Sequence, residues 1–251
     1  MDAFILIMLT LMGACVGSFC NVLIYRIPKG EEFVRTPSHC MACGHQLKWY
    51  ELVPVLSWLA QDGKCRSCGV ELSAQYPIVE AVNAAMWLLT GLIFRGDWLN
   101  VALYCGLFSL LMVASVIDWR EFIIPNGINL AIFLLGLVKL ATDLKHWKLY
   151  VIGMVSVSLV FLLLHIMTGG QGLGMGDVKL VAAAGLLLGW QKMILAVLVG
   201  SLSGSLIHSV RMKKGAGRKL AFGPYLAAGI WFAALVGKPL IRAYLGLIIG
   251  L

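Results

Sequence analysis

Charged residues are scarce in this chain. They make up only 13% of its 251 residues, whereas 60% of the residues are hydrophobic. Soluble domains are nearer to half apolar and one quarter charged, so the composition excludes an ordinary soluble domain. The apolar runs are continuous rather than alternating, which argues against a transmembrane β-barrel. We therefore predict an all-α protein that crosses a membrane several times and is surrounded by membrane lipid.

The chain also lacks the marks of a cleavable signal peptide. Its first apolar run has no basic region ahead of it, carries Asp2 and ends in Arg26 rather than in a small-residue cleavage site. A secretory signal combines a basic start with small residues at the cleavage point. We expect this run to be kept as the first membrane span.

The remaining apolar runs predict about eight transmembrane helices, because a span needs about 20 mainly apolar residues. The sixth run is short, and Gly237-Lys238-Pro239 breaks the last run, so that its continuation to Leu251 forms one span or two. We divide the chain into a first helix at 1–24, a polar loop domain at 25–75 and a seven-helix membrane domain at 76–251. The candidate runs are 3–24, 76–94, 98–117, 123–141, 149–167, 178–190, 193–210 and 222–236.

Basic residues are concentrated in two loops. The net charge of +8 is no indication of nucleic acid binding here, because membrane proteins collect Lys and Arg in their cytoplasmic loops. With eight spans the two basic loops, 25–75 and the one after the seventh run, lie on the same side, which we expect to be cytoplasmic. Lys145 and Lys148 fall on the outer side and weigh mildly against this orientation. The basic residues are Arg26, Lys29, Arg35, Lys48, Lys64 and Arg66 in the first loop, and Arg211, Lys213, Lys214, Arg218 and Lys219 in the second.

Acidic residues are fewer still, at 12, and two of them lie at the ends of apolar runs. Asp118 follows an uninterrupted run, and Asp177 lies in the glycine-rich turn 172–179 ahead of another. A carboxylate at such a place is energetically costly and indicates a function. Both are predicted to lie on the cytoplasmic side. Two aspartates from two membrane helices, one in a glycine turn, indicate an aspartyl protease at a membrane surface.

Other interpretations of the two aspartates stay open at this point. Asp177 would serve as the N-cap of the helix that follows it, and Asp118 would pair locally with Arg120. Paired intramembrane aspartates also occur in ion-coupled transporters, although we find no internal repeat of the kind that many transporters have. A third alternative is a non-enzymatic membrane scaffold that presents the polar loop domain to a partner.

Four of the seven cysteines form two Cys-x-x-Cys pairs in the loop domain, Cys40 with Cys43 and Cys65 with Cys68. Each pair is followed by a glycine, which favours the turn of a zinc knuckle. Four thiolates make a closed tetrahedral Zn²⁺ site of the structural kind. Two disulfides are the alternative if the loop is exported. His39 and His45 flank the first pair, and we expect them to be bystanders.

Several short motifs occur in a fixed order along the chain. They are Gly17-Ser18-Phe19-Cys20-Asn21 at the end of the first run, the two cysteine pairs, Tyr76-Pro77-Ile78-Val79-Glu80, Asp118 with Ile124-Pro125-Asn126, Gly174-Met175-Gly176-Asp177-Val178-Lys179 and Phe222-Gly223-Pro224-Tyr225. This ordered set resembles the type IV prepilin peptidases, a family of GxGD-type intramembrane aspartyl proteases that combine leader peptidase and N-methyltransferase activity. The four knuckle cysteines resemble those of the bifunctional members.

The resemblance implies substrates, cofactors and site residues. The substrates would be prepilins or pseudopilins, whose basic leader is cut at the cytoplasmic face of the bacterial inner membrane. The new N-terminal residue would then be methylated with S-adenosylmethionine as the methyl donor. Asp118 and Asp177 would be catalytic, with Gly174, Gly176 and Lys179 supporting the active-site loop.

Two of these residues have simpler explanations as well. Glu80 would contribute to methyl transfer or to substrate binding, or else form a buried pair with Arg or Lys. Lys179 would extend to the membrane interface or act electrostatically on Asp177, and we favour the first. No GxGxxG motif follows a strand, so a Rossmann-type methyltransferase domain is not expected.

Peptide hydrolysis by two aspartates requires one ionised and one protonated carboxyl group. The ionised group takes a proton from the attacking water, and the protonated group donates a hydrogen bond to the developing oxyanion. Two carboxyl groups close together favour this state because they share one proton. The sequence leaves open which aspartate is the base, since the titration belongs to the pair.

Overall fold

The computed structural model describes residues 3–170, 172–213 and 220–249. Lys214, Arg218 and Lys219 of the predicted basic loop lie outside the described residues, as does Leu251. Within these ranges the chain forms nine α-helices and two short 3₁₀ helices, at Trp49–Glu51 and Leu144–His146. The α-helices are α1 (Ala3–Arg26), α2 (Leu56–Ala60), α3 (Gln75–Ile93), α4 (Trp98–Glu121), α5 (Asn126–Thr142), α6 (Trp147–Met167), α7 (Met175–Leu188), α8 (Trp190–Lys213) and α9 (Gly223–Ile249).

Six described helices are long and apolar enough to cross a membrane, namely α1, α3, α4, α6, α8 and α9. No strand forms in the described ranges beyond two isolated bridges, His39 with Gln46 and Lys64 with Glu71. The prediction of an all-α polytopic membrane protein with a four-cysteine loop is therefore confirmed. The count of about eight spans stays a prediction, because α5 has only 17 residues and α7 only 14.

The last helix differs from the expectation that Gly237-Lys238-Pro239 breaks it. α9 runs as one helix from Gly223 to Ile249 with Pro239 inside it. Proline removes one backbone donor and crowds the preceding turn, yet helices in membranes tolerate it when neighbouring groups satisfy the freed carbonyl. The sequence left open whether the last apolar segment forms one span or two. In the structure it forms one uninterrupted helix.

The chain divides into two compact units, Met1–Val113 and Ala114–Leu251, with the boundary inside α4. In the first unit α1 packs against α3, and glycines make the approach close. A Cβ on Gly17 would lie only 2.8 Å from the Cα of Glu80, and one on Gly13 would lie 2.9 Å from the Cβ of Trp87. Small residues four positions apart are a common contact between membrane helices.

In the second unit the short helix α7 is surrounded by protein. It packs against α5 and α6, and most of its residues are buried. Gly153 of α6 and Gly185 of α7 meet so closely that a Cβ on either would enter the other's backbone. A helix that is apolar on all sides belongs in a core. The unit therefore holds the start of α7, and Asp177 with it, on a rigid support.

Candidate functional site

Asp118 lies in the last turn of α4 and is only 6% exposed. Its Oδ2 atom accepts a hydrogen bond from the backbone N–H of Gly223 at 2.9 Å. Gly223 is the first residue of α9, where backbone N–H groups have no partner within the helix and attract negative charge. The Phe-Gly-Pro motif thus supplies a backbone donor to the aspartate 105 residues earlier in the chain.

Asp177 is the third residue of α7 and is 9% exposed. Its Oδ2 atom accepts the backbone N–H of Gly174 at 3.2 Å, while its Oδ1 atom has no hydrogen-bond partner among the described residues. Gly174, not Asp177, occupies the N-cap position. One carboxylate oxygen of Asp177 therefore stabilises the glycine turn, which agrees in part with the capping interpretation. The other oxygen remains available to bind a water or a substrate group.

Two side chains connect the glycine turn to the segment that follows Asp118. The Nδ2 group of Asn129 donates to the carbonyl oxygen of Gly176 at 3.3 Å, and the ammonium of Lys179 donates to Oδ1 of Asn126 at 2.8 Å. A Cβ on Gly176 would lie 3.0 Å from the Cβ of Ile124, so a glycine is needed for this approach. Lys179 is exposed and directed to Asn126.

Asn129 was not among the predicted site residues. It is buried in α5 at 5% exposure, and its Oδ1 atom, like Oδ1 of Asp177, has no hydrogen-bond partner in the described part of the chain. Buried polar atoms without partners call for a water or a ligand. The sequence does contain a sign of this role, because an amide within an apolar helix, four residues after Pro125, is itself costly.

The segments that carry the two aspartates meet, because the glycine turn of Asp177 is bonded to α5 and packs on Ile124, shortly after Asp118 in the chain. The end of α8 reaches the same region, where the guanidinium of Arg211 stacks on the ring of Trp119 at 4.6 Å. The end of α4 and the starts of α5, α7 and α9 therefore meet at one end of the second unit. This arrangement presents two buried carboxyl groups, each held by a glycine N–H.

The four cysteines of the loop domain converge as the sequence predicted. Their Sγ atoms all lie within 4.8 Å of one another, and those of Cys40 and Cys68 are 3.9 Å apart. Four thiolates about 2.3 Å from a tetrahedral Zn²⁺ are separated by about 3.8 Å. All four thiols are free, so the geometry fits a metal site and not two disulfides.

Each cysteine pair lies in a knuckle with the same backbone pattern. The N–H of Gly44 donates to the carbonyl of Cys40, and the N–H of Gly69 to that of Cys65, both at 2.9 Å. Both glycines have a φ of 71°, a conformation that other residues rarely adopt. Backbone N–H groups of the first knuckle, that of Cys43 foremost, lower the pKa of the Cys40 thiol to about 7, which favours the thiolate that a metal needs.

The two flanking histidines point to other partners. Nε2 of His45 lies 3.3 Å from a carboxylate oxygen of Glu51, and Nδ1 of His39 lies 3.2 Å from the carbonyl oxygen of Pro37. Glu51 also accepts the backbone N–H of Lys48 at 2.9 Å. Among the described residues, the cluster that could hold a metal ion consists of the four cysteines alone.

Glu80 is buried in the first unit, at 7% exposure in α3. Its Oε2 atom accepts the backbone N–H of Val55 at 2.6 Å. The sequence analysis offered a buried pair of Glu80 with Arg or Lys as an alternative. The described partner of Glu80 is instead a neutral backbone N–H. Val55 has a φ of 63°, which is a strained conformation for a β-branched residue.

Comparison with known proteins connects both units to one family. Residues 11–94 match the model of the bacterial peptidase A24 N-terminal domain, and residues 105–209 match that of the type IV leader peptidase family. No solved structure matches.

The chain is also similar to curated proteins over nearly its whole length. It is 34% identical to a prepilin leader peptidase/N-methyltransferase of Stutzerimonas stutzeri, across 97% of this chain and 94% of the relative. Proteins of the same name from Pseudomonas aeruginosa and Xanthomonas campestris are each 33% identical to it. The first alignment covers 94% of this chain and 91% of the relative, and the second covers 93% and 92%.

Proposed function

The chain belongs to the type IV leader peptidase family, and we propose that it cuts the leader peptide from prepilins or pseudopilins and methylates the new N-terminal residue. The observation that carries the proposal is the pair of buried aspartates at one end of the second unit. Asp118 is held by the N–H of Gly223 and Asp177 by that of Gly174. Relatives of this chain carry the name prepilin leader peptidase/N-methyltransferase.

Cleavage proceeds by attack of water on the scissile carbonyl. One aspartate, ionised, takes a proton from the water, and the other, protonated, stabilises the oxyanion and then helps to protonate the departing amine. The free Oδ1 atom of Asp177 is available to hold this water. Gly174 donates its N–H to Asp177, and Gly176 allows the glycine turn to approach Ile124 closely. Lys179 and Asn129 keep this turn against α5.

The substrate and the enzyme meet in the bacterial inner membrane. The apolar helix of the prepilin lies in lipid beside the spans, and its basic leader remains at the cytoplasmic surface. The catalytic dyad, Asp118 with Asp177, faces the same surface. The basic loops predicted for that side support this orientation. The end of α8, which carries Arg211, contacts the end of α4 next to Asp118.

Methylation is assigned to the first part of the chain. The first helix at 1–24 is followed by the loop domain at 25–75, which holds a structural Zn²⁺ through Cys40, Cys43, Cys65 and Cys68. The seven-helix domain at 76–251 carries the dyad. S-adenosylmethionine supplies the methyl group that is transferred to the new amine. Glu80 contributes to this second activity, because it lies buried between α1 and the loop domain and is hydrogen-bonded to Val55.

The proposal is tested by incubating the purified full-length protein with a prepilin and labelled S-adenosylmethionine. Mass spectrometry scores the loss of the leader, and transferred label scores methylation. We expect a shortened product that carries one methyl group on its N-terminal nitrogen. An intact prepilin after prolonged incubation contradicts the peptidase assignment, whereas a shortened and unlabelled product contradicts only the methyltransferase assignment.

A further inference from the structure

The first unit contains a cavity of about 370 Å³ between the ends of α1 and α3 and the loop domain. Its volume falls within the range of about 300–1,000 Å³ that is typical of small-molecule sites. The walls come from both zinc knuckles, from α2 and from the helix ends, so that the cavity exists only when the loop domain is folded. Neither aspartate of the dyad lines this cavity, and the cleavage chemistry makes no use of it.

The cavity walls are rich in carboxylates. Four glutamates line the cavity against one arginine. Lys29 lies 3.9 Å from Glu31 and His45 lies 3.3 Å from Glu51, whereas Glu71 and Glu80 have no such partner among the described residues. The guanidinium of Arg26 is committed to the backbone, because it donates to the carbonyl oxygens of Glu32, Thr36 and Pro37 at distances from 2.7 to 3.1 Å. The cavity therefore favours a ligand that carries positive charge.

Glu80 is the most deeply held of these carboxylates. Its hydrogen-bond partner, the N–H of Val55, is neutral and supplies no positive charge to pair with it. The backbone of Val55 is kept in a strained conformation, with φ 63° and ψ −51°, at the point where it donates to Glu80. Strain of this kind persists where the surrounding structure holds it, and it is concentrated at ligand sites.

Aromatic side chains form another part of the wall. Tyr25 and Tyr76 line the cavity and stack on each other, with ring centroids 5.5 Å apart and planes inclined by 22°. Trp58 lines it as well, with its indole N–H bonded to the carbonyl of Leu72. Aromatic surfaces bind both planar rings and soft cations that have lost their water.

From these walls we infer that the cavity binds S-adenosylmethionine, an inference that rests on the proposed methyltransferase function. The ligand has a cationic sulfonium, an ammonium group, a carboxylate and a flat adenine ring, so that its net charge is positive. Glu80 and the other carboxylates supply the counter-charge, and the tyrosine pair with Trp58 supplies the apolar surface. The loop domain thereby acquires a direct part in methylation, because the zinc knuckles form part of the walls.

The test measures binding to the full-length, zinc-loaded protein by equilibrium dialysis, with S-adenosylmethionine and its neutral product S-adenosylhomocysteine as probes. Glu80→Gln keeps the size of the side chain and removes its charge. We expect it to weaken binding of the cationic probe about tenfold and that of the neutral product much less. Ser57→Leu adds bulk to the wall without changing the charge and should weaken both probes.

Asp62→Asn is the matched control, because Asp62 is an exposed carboxylate of the loop domain that does not line the cavity. It should bind both probes as the wild type does. Zinc content and thermal unfolding are measured for every variant, so that loss of the fold is distinguished from loss of the site.

The experiment distinguishes a wrong binding site from a wrong methyltransferase assignment. If the wild type binds S-adenosylmethionine and neither Glu80→Gln nor Ser57→Leu changes its affinity, the cavity is not the site, and the proposed methyltransferase function stands. If the wild type neither binds the methyl donor nor methylates a cleaved pilin, the proposed methylation fails and this inference fails with it.

Discussion

Gly223→Ala tests how closely the start of α9 fits the carboxylate of Asp118. A Cβ at this position would lie 2.7 Å from Oδ2 of Asp118, well inside the contact distance of about 3.5 Å. The carboxylate must therefore move by on the order of 0.8 Å, or the first turn of α9 must move away and lengthen the 2.9 Å hydrogen bond. Either change displaces the Asp118 carboxyl group from its position beside Gly223.

The expected loss follows from this displacement. A misplacement of about 1 Å in a catalytic geometry costs about 100-fold in rate, so we expect kcat/KM for prepilin cleavage to fall by about 10- to 100-fold, or roughly 1.4–2.7 kcal/mol. Alanine is a better helix former than glycine, and the thermal unfolding temperature should change little. Methylation of a prepilin that has already been cleaved should stay near the wild-type rate.

Gly127→Ala is the matched control. Gly127 lies in the first turn of α5, and a Cβ there meets nothing within 4 Å. Its cleavage rate should equal that of the wild type, measured by mass spectrometry of the released leader under first-order conditions. Cleavage by Gly223→Ala at the wild-type rate, or an equal loss of activity in Gly127→Ala, would show that the contact between Gly223 and Asp118 does not position the carboxyl group.

Three further outcomes are expected. Metal analysis of the purified protein should find one Zn²⁺ per chain, with Zn–S distances of about 2.3 Å; absence of zinc, or mass spectra that show two disulfides, would exclude the metal site. Cys65→Ser should harm methylation more than cleavage, and equal loss of both activities in well-folded protein would reduce the zinc knuckles to a support for the whole enzyme. Asn129→Ala removes the hydrogen bond to Gly176, so kcat for cleavage should fall about tenfold while KM is unchanged; an unchanged kcat would show that Asn129 has no part in positioning the glycine turn.

The helical architecture and the cysteine cluster were predictable because their signals are local. Apolar runs mark the spans, and the spacing within each Cys-x-x-Cys pair, followed by Gly44 or Gly69, marks the knuckles. The stop at Gly237-Lys238-Pro239 was wrong because a local rule for proline was applied where the helix continues through it.

The contacts that complete the site were not predictable, because they join distant parts of the chain through backbone atoms. The N–H of Gly223 that holds Asp118 comes from a residue 105 positions away, and any residue but proline has an N–H. The bond from Val55 to Glu80 depends on a positive φ, for which a valine gives no sign. Asn129 was missed because it lies outside the short motifs on either side of it.

The central claim is that Asp118 and Asp177 together hydrolyse the leader peptide bond. The most direct measurement is the yield of cleaved prepilin from purified Asp118→Asn and Asp177→Asn, each shown to be folded and inserted in the membrane. We expect no cleavage by either variant, because each carboxyl group has a role that the other cannot take over. We also expect Asp177→Asn to methylate a prepilin that has already been cut. Substantial cleavage by either variant would contradict the dyad.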